Sequence, residues 1–144
     1  MKYKLTFTLG DPSWDGHGLT SVYYIVCNHS SEEIEAAYRK ASQKLGFDFL
    51  KLFEEFECSW TISKEHSQIL VENKVVDWEW LRLDKNVFDE DELGTIELDG
   101  EDEFVDIFFN IVQLELPDLT WDTAVLGFDM LSVLEGAGYG LFHL

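Results

Sequence analysis

A chain of 144 residues, 46% of them hydrophobic and 15% aromatic, is long enough for one domain with a proper core. Its formal net charge of −19 repels nucleic acid and anionic membrane, which excludes direct DNA or RNA binding through a basic groove. The acidity is uneven: residues 1–85 carry 14 acids and ten bases, whereas residues 86–144 carry 15 acids and no base.

The first residues run straight into an alternating segment rather than an apolar leader block, and no apolar run approaches the length of a membrane span. An intracellular, cytoplasmic protein is therefore expected. Tyr3, Leu5, Phe7 and Leu9 alternate with Lys2, Lys4, Thr6 and Thr8, the period of a half-buried strand. Residues 19–28 are rich in Val, Ile, Thr and Tyr, as strands prefer. The two runs predict an antiparallel N-terminal hairpin.

Between them, residues 10–18 read Gly-Asp-Pro-Ser-Trp-Asp-Gly-His-Gly. Asp11 and Asp15 offer carboxylate oxygens and His17 an imidazole, a set suited to Mg, Mn or Zn. Trp14 offers a face on which a ligand ring can stack. The same residues are ordinary turn chemistry, and their spacing matches no known metal motif.

Ser30 followed by Glu33 forms a capping box. Ile34, Ala37, Tyr38, Ala41 and Leu45 then recur at helical spacing, and Gly46 stops the helix. Asp48 reads as a fresh cap before Phe49, Leu52, Phe53 and Phe56, one apolar stripe. Ser63 caps a third helix of about ten residues, with Ile69 and Leu70 inward and His66 alone at the surface. Over residues 75–83 the pattern fits two periods: Val76, Trp78 and Trp80 alternate as in a strand, and Val76, Trp80 and Leu83 also fit a helix. A strand is predicted, with both tryptophans on one face, in the core or as an aromatic patch for a ligand; the core reading is preferred.

Residues 84–106 hold eleven acids against Lys85 alone. Asp89, Asp91, Gly94 and Ile96 fall at the first, third, sixth and eighth places of a calcium loop. Leu93 at the fifth and Gly100 at the twelfth fail as ligands. A solvated acidic loop is the simpler reading. Glu101, Asp102 and Glu103 suit the first turn of a helix carrying Phe104, Ile107, Phe108, Ile111 and Val112, closed by Pro117. Residues 126–135 repeat residues 45–54 at six of ten positions. This predicts the same device twice: a glycine stop, an aspartate cap and a short amphipathic helix. Residues 139–144 read as a last strand; the competing reading makes residues 123–142 a β-hairpin with glycines at close contacts.

Cys27 and Cys58 are expected to be free and buried, because neither has a histidine or cysteine at zinc spacing. No nucleophile elbow, phosphate-binding glycine loop or zinc-protease helix occurs. The fold class expected is α+β: a small, mainly antiparallel sheet led by the hairpin, with four or five helices packed on it. The leading function is a protein-interaction module, of inhibitor or immunity type, docking on a basic, nucleic-acid-binding partner. Its acidic surface is Asp89, Glu90, Asp91, Glu92, Glu101, Asp102 and Glu103. The alternative is a metal- or nucleotide-binding domain, such as a hydrolase, built on Asp11, Trp14, Asp15 and His17.

Overall fold

A computed structural model describes residues 3–9, 21–52, 60–99 and 101–124. The chain is α+β and divides into two compact units: residues 1–39 with 116–144, and residues 40–115. Among the described residues three α-helices and two antiparallel sheets are delimited. None of these helices is long and apolar enough to cross a membrane.

The first unit holds a three-stranded antiparallel sheet. Strand β1 (Tyr3–Leu9) pairs with β2 (Ser21–Cys27) from Tyr3↔Cys27 to Leu9↔Ser21. The other edge of β2 pairs with β5 (Trp121–Ala124) from Cys27↔Trp121 to Tyr24↔Ala124. Ile25 and Cys27 are buried and Val26 between them is half-buried, the alternation of a strand with one covered face.

Helix α1 (Ser31–Leu45) follows. Its capping box is formed in full. The Glu33 N–H donates to Ser30 Oγ at 3.3 Å, and the Ser30 N–H donates to Glu33 Oε1 at 3.1 Å. Ile34, Ala37, Tyr38, Ala41 and Leu45 are all buried, as their spacing predicts. Gly46 takes φ +86°, a left-handed stop that a side chain would strain.

In the second unit the Asp48 carboxylate accepts from the Leu50 N–H at 3.1 Å and caps a 3-10 turn, Phe49–Lys51. The rest of the stripe, Phe53 and Phe56, lies outside the described residues. So do the second copy of the repeat, residues 126–135, and the expected last strand.

Strand β3 (Thr61–Ile62) pairs with β4 (Ile96–Glu97), and α2 (Lys64–Glu72) is capped by Ser63 Oγ, which accepts from the His66 N–H. The buried Ser67 hydroxyl donates to the Ile62 carbonyl at 3.0 Å and accepts from the Ile96 N–H at 3.1 Å, tying the two short strands to the helix. His66, expected alone at the surface, is half-buried and stacks on Phe47 with centroids 4.3 Å apart. Helix α3 (Glu101–Gln113) buries Phe104, Ile107, Phe108, Ile111 and Val112, and Phe104 stacks on Phe49 at 4.5 Å.

Two expectations are overturned here. Residues 75–83 form no strand: Trp78–Trp80 is a 3-10 turn, because the Trp80 and Leu81 N–H groups are spent on the Asp77 and Trp78 carbonyls rather than on a ladder. Trp78 is accordingly not core but 64% exposed. The acidic stretch is also more than a solvated loop, since Thr95, Ile96 and Leu98 within it are buried.

Candidate interaction surface

Arg82 gathers several groups of the acidic stretch. Arg82 pairs its backbone with residues 94 and 95: its N–H donates to the Thr95 carbonyl, and its carbonyl accepts from the Gly94 N–H. Its side chain is 13% exposed, and the guanidinium reaches three partners. It donates to Glu92 Oε2 at 3.2 Å, to Glu97 Oε2 at 3.1 Å and twice to Thr95 Oγ1, at 2.9 and 2.7 Å. It also lies over the Phe88 ring, 5.5 Å from the centroid. Gly94, at φ +81°, makes the bend that brings these groups back to Arg82, with Lys64 Cγ 3.7 Å from where a Cβ would sit.

The other nearby cations are also engaged. Lys64 Nζ donates to the Glu90 carbonyl at 2.9 Å, and Lys44 and Lys40 pair with Glu115 at 2.8 and 3.5 Å. The Lys44 hydrogen bond holds the Glu115 carboxyl below the usual carboxylate range. Asp89, Glu90, Asp91 and Asp102 are exposed, and among the described residues no cation lies within ion-pair distance of them. Glu92 is half-buried and held by Arg82. Glu103 reaches back to accept from the Asp99 N–H, and Glu101 opens α3.

Carboxylate oxygens of Asp89, Asp91 and Glu92 lie within 4.8 Å of one another. Glu92 Oε1 already accepts from the Asp89 N–H, and Glu92 Oε2 already pairs with Arg82. That cluster is not evidence for a metal. Asp11, Trp14, Asp15 and His17 lie outside the described residues.

A second polar constellation, in the first unit, has no counterpart in the sequence reading. The His29 side chain, 13% exposed, sits between two carboxylates: Nδ1 is 3.1 Å from Glu33 Oε2 and Nε2 is 3.0 Å from Asp118 Oδ1. Asn28 reinforces the join. Its Nδ2 donates to the Asp118 carbonyl at 2.8 Å, and its Oδ1 accepts from the Thr120 N–H at 2.9 Å. Only an imidazolium can donate from both ring nitrogens. The Glu33 hydrogen bond leads in raising the His29 pKa, and Asp118 adds to it against the effect of burial. Glu33 is in turn held low, first by the Ser30 N–H and then by His29.

A raised imidazole pKa stabilises the fold fully below the unfolded value of ~6.5, and that contribution is lost as pH rises through the folded value. The lowered Glu33 works the other way, losing its contribution as pH falls through its folded value. The clasp is therefore tightest at roughly pH 5 to 6.5. In an NMR titration His29 is expected to titrate above ~6.5, and lower in Glu33→Gln and in Asp118→Asn. A His29 that titrates at or below ~6.5 in the wild-type protein rules the clasp out.

Cys27 is free and buried, as expected, and its Sγ donates to the His29 carbonyl at 3.0 Å. Burial pushes its thiol up, so it is a poor nucleophile. Cys58 lies outside the described residues. Compared with protein-family models, with curated proteins and with solved structures, the chain matches none.

Proposed function

We propose that the protein is a small acidic interaction module, of inhibitor or immunity type, that docks on a basic, nucleic-acid-binding protein partner in the cytoplasm. The observation that carries this reading is the way charge is spent in residues 82–103. Arg82 and Lys64 are turned onto groups of the protein itself, while Asp89, Glu90, Asp91 and Asp102 are exposed with no cation beside them among the described residues. Carboxylates gathered in one stretch repel each other, and a basic partner relieves that cost while gaining speed and selectivity of encounter. The scaffold in this reading is a small antiparallel sheet led by the N-terminal hairpin, with four or five helices.

The test is binding of a folded cationic probe, egg-white lysozyme, followed by titration calorimetry at 20 and 200 mM NaCl. Wild-type affinity is expected to fall roughly tenfold over that range, because exposed charges are screened. The combined variant Asp89→Asn, Glu90→Gln, Asp91→Asn is expected to bind more weakly and to respond less to salt. The control removes the same charge from exposed acids elsewhere, with Glu32→Gln, Glu65→Gln and Glu72→Gln. Equal losses in the two triple variants would sink the idea of a defined docking surface.

A further inference from the structure

We infer that Trp78, flanked by Asp77 and Glu79, anchors the docking surface by taking an arginine side chain of the basic partner. This rests on the interaction reading above and names the chemistry of its contact. Trp78 is 64% exposed, and Asp77 and Glu79 beside it are exposed as well. The indole is held outward on a defined turn: the Trp80 N–H donates to the Asp77 carbonyl and the Leu81 N–H to the Trp78 carbonyl, both at 3.0 Å. Asp77 occupies the N-cap position of that turn, where an aspartate usually accepts from the backbone, yet its side chain makes no capping bond. Among the described residues no cation pairs with Asp77 or Glu79. Leu83 and Val87, 49% and 68% exposed, extend the apolar part of the same run.

An exposed indole whose two chain neighbours are exposed carboxylates without a cation is complementary to a guanidinium. The protein uses this chemistry on itself a few residues away, where Arg82 lies over Phe88 with Glu92 and Glu97 on its nitrogens. Trp is a better cation–π face than Phe, and a planar guanidinium stacks on it and forks onto carboxylates where an ammonium does not. Exposed tryptophan and arginine are also the residues that dominate binding energy at interfaces. Charge complementarity selects this occupant over a purely apolar one: an apolar partner would have to desolvate Asp77 and Glu79 without pairing them.

The probes are two fluorescein-labelled decapeptides, one with arginine alternating with serine and one with lysine in place of arginine, titrated at 20 mM NaCl. Readouts are anisotropy and the indole Nε1–H resonances. The arginine peptide is expected to bind at least threefold more tightly than the lysine peptide and to shift the Trp78 indole signal. Trp78→Ala is expected to weaken the arginine peptide about tenfold, with melting temperature and salt response unchanged. Asp77→Asn with Glu79→Gln is expected to weaken it too, and to flatten the salt response. Arginine and lysine peptides that bind alike, or a Trp78→Ala protein that binds as wild type, would overturn the arginine anchor. In either case the acidic-surface reading stands if the lysozyme affinity still depends on Asp89, Glu90 and Asp91. Failure of both peptides and of lysozyme to bind at 20 mM NaCl overturns both.

Discussion

Phe104→Ala is expected to destabilise residues 40–115 by about 3–5 kcal/mol, the cost of emptying a large aromatic site in a packed core. Phe104 has no exposed surface. Its ring stacks on Phe49 at 4.5 Å and meets the edge of Trp60 at 6.1 Å. Those partners come from the 3-10 turn and from the residue before β3, so the cavity would open where three separate segments meet. Neighbouring side chains cannot all move in to fill it. Phe104→Leu keeps most of the volume and is expected to cost well under half as much. Urea unfolding of the two variants checks this. A loss below about 1 kcal/mol for Phe104→Ala would mean that the Phe49–Phe104–Trp60 cluster is not a core.

Arg82→Met is expected to cost about 2 kcal/mol, a value set below that of a fully buried pair because Glu92 and Glu97 are partly in water. The substitution keeps the length and apolar stem of the side chain. It removes the donors that hold Thr95, Glu92 and Glu97 together and leaves two carboxylates facing each other. Arg82→Lys restores the charge but not the fork, and is expected to recover less than half of the loss. The gap between wild type and Arg82→Met should narrow in 1 M NaCl, where ion pairs to partly exposed carboxylates are screened. A gap that stays constant with salt would assign the loss to packing against Phe88 instead.

The elements that were legible in the sequence are those fixed by neighbours in the chain. The Ser30–Glu33 box, the Gly46 stop, and the Asp48 and Ser63 caps each need only a few consecutive residues, and each is formed. Helix α3 was legible because its apolar spacing runs through a whole segment. The alternation at Val76, Trp78 and Trp80 misled because period two means a strand only where a partner strand takes the backbone bonds; here the bonds close locally. Strands β3 and β4, two residues each, are too short to show any period.

The two polar constellations were hidden for a different reason. Arg82 gathers partners ten to fifteen residues away, and His29 meets Asp118 across 89 residues. Nothing in the spacing of such residues marks them as neighbours. The acid-rich composition of residues 84–106 was plain, but which carboxylates are bound by the protein and which are offered outward depends on the position of Arg82.

The middle place of β2 in the order β1-β2-β5 bears on how the chain is made. Strands β1 and β2 leave the ribosome early, whereas β5 follows only after residues 28–120 have been added. Through that interval one side of β2 carries a row of N–H and C=O groups with no ladder to join. Such an edge is a template for the strands of other nascent chains. A product terminated before Trp121 would keep that edge for good, and quality control would meet it as an aggregation-prone species.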